Sequence, residues 1–529
     1  MADALKAAAT SASTSRKDAI LSRRWIEGQI AEGKHVLVYD GRVLKVDAWI
    51  KFHPGGDKSI KHMVGKDATD EINALHSKEA RQRMLSFQIG RIQGPWLNFL
   101  PPIQGGKFRP YTEATCTSDE DSSSQDMSTP PSPIFDSVDA KSGLRRRKSV
   151  SSDTSVSTSA TPEFEPKPFF LDARTQEEIV LDVAKYPSLD TESQENIKKQ
   201  YRALDQRIRD EGLYDCNYFA YFIECCRYTL FAALSYLFLR LGWYATSGFF
   251  LGCFWHQLVF TAHDSGHMGI THHFHVDSVI GIIIADYLGG LSLGWWKRNH
   301  NVHHIVTNAP EHDPDIEHMP FFAISHRFLT SLRSTYYERI MTFDAFANFM
   351  LRYQNYLYYP ILLFGRFNLY RLSWVYLLCG QAPKKGPAWW HRWFELGGQV
   401  FFWYWFGYDH SLPFCHVDGD LGVHESFPQK MLRTTMDVDC PTWLDFFHGG
   451  LQFQAIHHLY PRIPRHNLRR TQKLVMEFCR DTGIPYAVFT FYDGNKEVIG
   501  KLGDVAKQVR ILDECRKSCA QQGVFSDHH

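Results

Sequence analysis

Three short clusters of histidine hold the residues of this chain that are best suited to metal chemistry. In the second cluster His300 is followed by His303 and His304, and positions i, i+3 and i+4 of a helix share one face. The third cluster repeats this spacing but begins with glutamine, and the first is an i, i+4 pair that closes an apolar run. The candidate catalytic residues are His263, His267, His300, His303, His304, Gln454, His457 and His458. We predict that the clusters converge on one polynuclear metal site at a bilayer surface.

The number and type of these side chains favour a pair of iron ions. Imidazole suits iron, copper and zinc, but seven histidines are too many for one ion and suitable for two. The clusters contain neither the glutamate of a zinc-protease HExxH sequence nor the Glu-x-x-His pairs of soluble di-iron bundles. A histidine-rich di-iron site at the cytosolic membrane face would activate dioxygen and remove hydrogen from an unactivated lipid chain.

Three aspartates beside the clusters are candidates to orient the imidazoles. Asp264 lies within the first cluster, and Asp313 and Asp315 follow the second in the sequence His-Asp-Pro-Asp. A carboxylate often holds the second ring nitrogen of a metal-binding histidine. The alternative is that these residues are helix-cap or turn acids, and both interpretations stay open.

Oxygen activation needs electrons, and a second histidine pattern indicates where they enter. His53 begins the sequence His-Pro-Gly-Gly, and His76 follows 23 residues later. Two separated histidines clamp a haem from both faces and give a centre that carries electrons without binding oxygen. We therefore predict that His53 and His76 are the axial ligands of a haem.

The composition excludes one class of partner and indicates a compartment. The chain has 529 residues, with 58 Lys+Arg balanced by 58 Asp+Glu, so we expect no nucleic-acid partner. The 11 cysteines include no CxxC pair, which fits a reducing compartment. Because residues 1–17 contain no apolar signal segment, we expect the amino-terminal part to stay in the cytosol.

The chain is predicted to be multidomain. We divide it into a flexible amino terminus (1–19), a small α+β unit (20–100), a disordered linker (101–170) and a mainly α-helical membrane domain (171–529). The small unit begins with two strands, Val36–Tyr39 and Arg42–Val46, around an Asp-Gly turn. The linker is rich in Ser, Thr, Pro and acidic residues and cannot bury enough apolar surface to offset its chain entropy.

Several apolar runs predict a multi-pass membrane topology. Tyr218–Leu239 and Leu241–Ala262 are the strongest transmembrane candidates. A straight crossing by the run Val276–Trp296 would place His267 and His300 on opposite membrane faces, so we predict that this run lies in the interface or re-enters. Glu224 and Arg227 in the first span are expected to pair or to lie at the interface. Four arginines face either anionic headgroups or solvent: Arg462, Arg465, Arg469 and Arg470.

These motifs resemble those of the cytochrome b5-fused front-end membrane desaturases. The Phe52–Gly56 sequence and His76 match the haem ligands of cytochrome b5, and the three clusters match the histidine boxes of the desaturases. A third box that begins with glutamine marks the front-end branch. The sequence Leu-Gly-Trp-Trp near the second box and the residues 427–439 before the third look most like fungal delta-8 sphingolipid desaturases.

The resemblance implies a substrate, cofactors and a location. The substrate would be the long-chain base of a ceramide, and the product a trans delta-8 double bond. The cofactors would be haem b and two iron ions, with O2 as co-substrate and NADH-cytochrome b5 reductase as electron donor. The protein would be a multi-pass protein of the endoplasmic reticulum membrane, with its haem domain and histidine boxes facing the cytosol.

One region departs from the family pattern. The family has a second transmembrane pair between boxes two and three, and a further ligand histidine near the end of its returning helix. Here the apolar run Leu396–Phe406 is only about half a bilayer crossing and is followed by polar, turn-like sequence. We therefore expect a missing segment and impaired metal loading, with His410, His416 or His424 as the substitute ligand.

Three alternative functions remain at this stage. A front-end acyl desaturase shares every motif quoted above. A fatty acid hydroxylase also joins cytochrome b5 to membrane histidines, although the glutamine in the third box argues against it. A non-catalytic haem membrane protein that passes electrons to partners is the alternative from a different class.

Overall fold

The computed structural model describes residues 17–99, 106–109, 134–137, 189–329, 331–406 and 425–521. Most of the predicted linker, and the region 407–424 that contains His410, His416 and His424, lie outside the described residues. The expected loss of a returning span therefore stays a prediction.

The amino-terminal unit is a small α+β fold, as predicted. Its strands β1 (Val36–Tyr39), β2 (Arg42–Lys45) and β3 (Gln88–Arg91) form an antiparallel sheet in that order. Asp40 and Gly41 both have positive φ, 51° and 67°, as a two-residue hairpin turn between twisted strands requires. Its helices are α1 (Arg23–Ala31), α2 (Asp57–Met63), α3 (Thr69–Leu75) and α4 (Lys78–Met84).

This unit has two hydrophobic cores, and the second continues into the membrane domain. One core joins α1 to the sheet through Ile26, Val36 and Val43. In the other, Leu44 and Ile72 pack against apolar side chains of a helix that holds the second histidine cluster. Those side chains are Val302, Ile305 and Val306. The amino-terminal unit is therefore packed, through apolar contacts, onto the helix that holds the second histidine cluster.

The rest of the described chain is mainly helical. After the short strands β4 (Gly106–Arg109) and β5 (Ile134–Ser137) come α5 (Thr191–Asp210), α6 (Tyr218–Arg240), α7 (Tyr244–Gly266), α8 (Phe274–Ile282) and α9 (Leu293–Val306). Next are β6 (Leu332–Ser334), β7 (Arg339–Met341), α10 (Ala345–Arg352), α11 (Gln354–Leu362), α12 (Gly365–Leu378) and α13 (His391–Phe406). The last elements are α14 (Phe427–Thr434), β8 (Asp437–Asp439), α15 (Asp445–His448), α16 (Gln454–Leu459), α17 (Leu468–Thr482), β9 (Val488–Thr490) and α18 (Phe491–Gln521).

Helices α6 and α7 form the predicted apolar hairpin. They meet at Gly242, whose φ is 75°, and the hydroxyls of Ser235 and Ser247 hydrogen-bond to each other's helix. By length and composition, α6 is the one straight helix of the described residues that could cross a membrane, although α7 is equally long.

The run after the first histidine cluster bends sharply. Helix α8 continues through a π-helical turn to Leu288, and this segment and α9 meet at 114°. The break between Leu288 and Leu293 contains Gly289 and Gly290 and lies within the run Val276–Trp296, which was predicted to lie in the interface or to re-enter. Because the bend returns the chain, the rings of His267 and His300 lie on the same side, with their centroids 5.1 Å apart.

Candidate metal and haem centres

The three histidine clusters meet in one place. His263 and His267 come from the end of α7, the second cluster from α9, and His457 and His458 from α16. Ring centroids of His263 and His457 are 4.5 Å apart, and those of His267 and His304 are 4.8 Å apart. His458 lies 4.4 Å from His304 and 4.9 Å from His303. All seven predicted imidazoles therefore belong to one connected cluster.

The ring nitrogens are arranged as a metal site needs them. One nitrogen from each of His263, His267, His300 and His457 lies within 4.8 Å of the other three. The Nε2 atom of His304 lies 3.1 Å from that of His300 and 3.2 Å from that of His457. Such convergence of uncharged, non-bonding nitrogens is costly unless a cation satisfies them.

Burial lowers the pKa of His267, His304 and His457 and so keeps these imidazoles in the form that binds a cation. Desolvation, and then the neighbouring imidazoles, hold the pKa of His457 well below its usual value. A neutral ring offers a free nitrogen lone pair, and metal ligation requires this form.

Of the three candidate aspartates, Asp313 contacts an imidazole most directly. Its Oδ2 atom accepts hydrogen bonds from His303 Nδ1 (2.7 Å) and from the backbone N–H of Asn308 (2.6 Å). Asp315 lies farther away, with Oδ2 3.7 Å from Nδ1 of both His300 and His303. Because Nδ1 of His303 donates its proton to Asp313, the free lone pair of this imidazole lies on Nε2. That atom is on the side of the ring away from Asp313, toward the other histidines.

The third aspartate belongs to a buried ionic network. Asp264 accepts from Arg465 Nη1 at 2.9 Å and also contacts the Tyr221 hydroxyl, while its carboxylate is 3.9 Å from His263 Nδ1. Arg465 also pairs with Glu224 of α6. This network ties α6 and α7 to the segment after the third box.

Two of the sequence-based possibilities for charged residues are wrong here. Glu224 and Arg227 do not pair, because Arg227 donates to Gln257 Oε1 (2.8 Å) and Glu224 contacts Arg465, whereas their location at the interface stays a prediction. Arg462 and Arg465 are only 8% exposed each, so neither faces headgroups or solvent. The sequence shows no sign of a partner more than 200 residues away.

Two further residues that shape the site were missed by the sequence analysis. Trp296 stacks on His300 at 4.5 Å between centroids and stands edge-on to His267 at 5.3 Å. It lies against Gly266, where any side chain would collide with the indole. Asp437 accepts from the backbone N–H of Ala455 (2.7 Å) and from the Tyr486 hydroxyl, so it fixes the start of α16.

Gln454 has a different environment from the histidines of its cluster. Its side-chain amide donates to the carbonyl of Leu451 at 2.8 Å, at the amino-terminal end of α16. Among the described residues it makes no contact with an imidazole. A role for Gln454 at the metal stays a prediction.

The two histidines of the amino-terminal unit, His53 and His76, face each other. The Nδ1 atoms of His53 and His76 donate to the carbonyls of Gly56 (2.8 Å) and Ile72 (3.2 Å). Their Nε2 atoms therefore carry the lone pairs, and they lie 3.5 Å apart. Burial and the neighbouring His53 lower the pKa of His76 to about 3. Two neutral nitrogens aimed at one point fit the axial positions of a haem iron.

Close contacts join this pair to the metal-site helix. An added Cβ at Gly55 would lie 2.5 Å from Asn301 Nδ2, and one at Gly56 would lie 2.7 Å from Arg298 Cγ. Arg298 forms an ion pair with Asp57 (3.0 Å). On the other side, Arg462 Nη1 donates to the carbonyl of His76 at 3.2 Å. The two histidine centres are thus linked through α9 and through the segment after the third box.

Family models match both parts of the chain. Residues 241–490 match the fatty acid desaturase family, and residues 23–93 match the cytochrome b5-like heme/steroid binding domain. The chain is 74% identical to the delta 8-(E)-sphingolipid desaturase of Emericella nidulans, over 97% of this chain and 99% of that protein. It is 45% identical to the protein of the same name from Kluyveromyces lactis, over 96% of each. It is 34% identical to the delta(8)-fatty-acid desaturase of Helianthus annuus, over 60% of this chain and 75% of the relative. No solved structure matches.

Proposed function

We propose a sphingolipid delta-8 desaturase activity for this chain, which belongs to the fatty acid desaturase family and has a cytochrome b5-like domain at its amino-terminal end. Two hydrogens would leave neighbouring carbons of the long-chain base. With two electrons and two protons, they would reduce O2 to two water molecules. The relatives that share nearly the whole chain support the choice of substrate and the trans geometry in their names.

The observation that supports an oxidative metal site is the convergence of seven buried or half-buried imidazoles from three separate helices. We assign His263, His267, His300, His303, His304, His457 and His458 as ligands of two iron ions. Iron in such a site supplies the oxidising power for cleaving an unactivated C–H bond. Around it, Asp313 holds the Nδ1 proton of His303, and Trp296 covers His300 from water.

The haem domain would supply the electrons one at a time. We assign His53 and His76 as axial ligands of haem b, and NADH-cytochrome b5 reductase as the external donor. The haem-binding loop contacts Arg298 and Asn301 of α9, which also holds His300, His303 and His304. This proximity supports electron delivery within one chain.

Attachment to a membrane follows from the family, and the compartment and the orientation are our proposal. We place the protein in the endoplasmic reticulum, with both histidine centres on the same, cytosolic side, because the haem domain packs on α9, which also holds three of the histidines. We also propose the boundaries 20–100 for the haem domain, 101–170 for the linker and 171–529 for the desaturase domain.

Two alternatives have specific support. The Helianthus annuus relative favours an acyl substrate. An impaired enzyme is favoured by the apolar run Leu396–Phe406, which as a helix would reach about 17 Å where a crossing needs about 30 Å. The match to the Emericella nidulans protein runs over 543 positions, whereas 97% of 529 residues is about 513, so about 30 positions of that relative have no counterpart here.

Expression of the full chain in a yeast without delta-8 bases tests these functions. Mass spectrometry of long-chain bases and fatty acids should show delta-8 unsaturated bases with the wild type and none with His304→Ala. New unsaturation confined to fatty acids would support the acyl alternative. No new double bond, together with a normal haem spectrum and less than two irons per chain, would refute the activity and support the impaired form.

A further inference from the structure

A cavity of about 350 Å³ lies at the junction between the amino-terminal unit and the desaturase domain. Its walls come from the segment 50–57, from Arg298 of α9 and Tyr376 of α12, and from the residues 380–383 that follow α12. His53 also lines the cavity, but His76 does not, so the cavity is separate from the space between these two histidines. Neither histidine centre occupies it.

Arg298 joins the walls of this cavity. Its Nη2 atom donates to Asp57 Oδ1 (3.0 Å), and its Nη1 atom donates to Gln381 Oε1 (3.1 Å). An added Cβ at Gly386 would lie 3.2 Å from Phe52 Cβ, so the chain after α12 also contacts the amino-terminal unit here. A molecule in the cavity would therefore touch both domains.

The cavity has an excess of positive charge. Among the described residues, Asp57 is the one acidic side chain that lines it, and its Oδ2 atom already accepts from Lys61 Nζ (2.7 Å). Lys51 lines the cavity and forms no ion pair within the described part of the chain. Lys384 reaches the rim, with its Nζ atom 3.9 Å from the position of an added Cβ at Gly380. Two unpaired ammonium groups at one opening favour an anionic ligand.

The segment at the rim continues into a surface typical of a membrane interface. Lys384 and Lys385 are followed by Trp389 and Trp393, whose side chains are 54% and 63% exposed. The apolar run Leu396–Phe406 begins three residues after the second tryptophan. Tryptophan is enriched at the level of lipid headgroups, and lysines beside a membrane attract anionic lipids. The rim of the cavity is therefore expected to lie at the level of the lipid phosphates.

We infer that this cavity binds the headgroup of an anionic phospholipid, and that this lipid bridges the amino-terminal unit and the desaturase domain. Lys51 and Lys384 would form ion pairs with the phosphate, and the side-chain NH2 group of Gln381 would donate to it. The volume has room for more than about ten water molecules, and so for a phosphate with its headgroup alcohol. The inference requires attachment to a membrane but does not depend on the substrate proposed above.

Equilibrium binding of a fluorescent short-chain phosphatidic acid to the detergent-purified full chain, loaded with haem and iron, tests this site. Lys51→Met and Lys384→Met are combined in one cavity variant. The matched control combines Lys198→Met and Lys507→Met, whose ion pairs lie within α5 and α18. We expect Kd to rise about 30-fold in the cavity variant, as for two lysines close to a lipid phosphate, and less than about twofold in the control.

Hydrogen exchange shows where the lipid binds. With phosphatidic acid, peptides that cover residues 49–57 and 380–386 should exchange more slowly in the wild type but not in the cavity variant, and equal haem absorbance shows that both are folded. If inorganic phosphate at the same concentration slows these peptides equally, the cavity takes a free anion and the lipid assignment is wrong. The inference is also wrong if phosphatidylcholine binds as tightly as phosphatidic acid, or if the cavity variant keeps the wild-type Kd. Each of these outcomes leaves the proposed desaturase activity standing.

Discussion

Replacing Asp313 by asparagine tests whether carboxylates prepare the histidines for metal. Asp313 is fully buried, and its Oδ2 atom accepts from both His303 Nδ1 and the backbone of Asn308. Its Oδ1 atom accepts from the backbone N–H of Asp315 at 2.9 Å. Asparagine has the same size but only one side-chain oxygen. Its NH2 group would therefore face one of the N–H donors from which Asp313 now accepts. One charge-assisted hydrogen bond, worth about 1.5–3 kcal/mol, is lost.

We expect this loss to appear mainly as weaker iron binding. Removal of a carboxylate behind a ligand histidine lowers metal affinity by about 10–100-fold, which matches the lost hydrogen bond. The assay is competition with an iron chelator on detergent-purified protein, followed by iron analysis. Asp277→Asn is the matched control, because Asp277 is equally buried and accepts from Thr271 N–H and Oγ1 without touching an imidazole.

Two outcomes would contradict this role of Asp313. If Asp313→Asn retains iron at the same chelator concentration as wild type, with an intact haem spectrum, then Asp313 does not prepare His303. If Asp277→Asn loses iron equally, the effect comes from general destabilisation.

Three further variants test the framework around the two centres. Gly56→Ala adds a Cβ at φ 84° against Arg298 and should disturb the contact with α9, so we expect slower oxidation of the reduced haem in a stopped-flow assay. Gly33→Ala is the control. Its φ is 83° but its Cβ meets open space, so it should transfer electrons normally in the same assay. Arg465→Met strands the carboxylates of Glu224 and Asp264, so the free energy of unfolding should fall by about 3–5 kcal/mol. Arg469→Met is the control, because the ion pair of Arg469 with Asp445 is partly exposed. It should lower the free energy of unfolding by less than about 1 kcal/mol, and thermal unfolding in detergent compares the two variants. Burial raises the pKa of Asp437 from 3.8 to about 7. Between these pH values the folded state keeps a proton that the unfolded state releases. The free energy of unfolding should therefore fall as pH rises from 4 to 7. Asp437→Asn should show a weaker fall in melting temperature over that range, and an unchanged slope would contradict the burial argument.

Sequence spacing was sufficient to predict that the three histidine clusters meet, because the spacing within each cluster is local to one helix. The i, i+3 and i+4 pattern of His300, His303 and His304 fixes one helix face, and repetition in the third box implies a shared target. The bend after α8 could be predicted from topology, since His267 and His300 had to lie on one side. The approach of His53 and His76 to each other could be predicted from their motif and separation.

The parts that the sequence analysis missed depend on contacts between distant segments. Arg465 resembles a surface arginine in sequence, and only the fold places Glu224 and Asp264 around it. Glu224 has a nearer candidate partner in Arg227, so the local pattern favoured the wrong pair. The packing of Leu44 and Ile72 against Val302 and Ile305 likewise joins residues that no periodicity connects.

The docking of the haem unit on α9 has a kinetic consequence. Since Asp57 meets Arg298 and the loop glycines leave no gap against that helix, the amino-terminal unit and α9 stay together as one body. Under the proposed function, electron transfer from the haem unit to the metal centre would then be a first-order event, independent of how many donor molecules the surrounding membrane holds. A change in the abundance of free small haem proteins would then leave the rate of this electron transfer unchanged. It would affect only how fast the docked unit is reduced again.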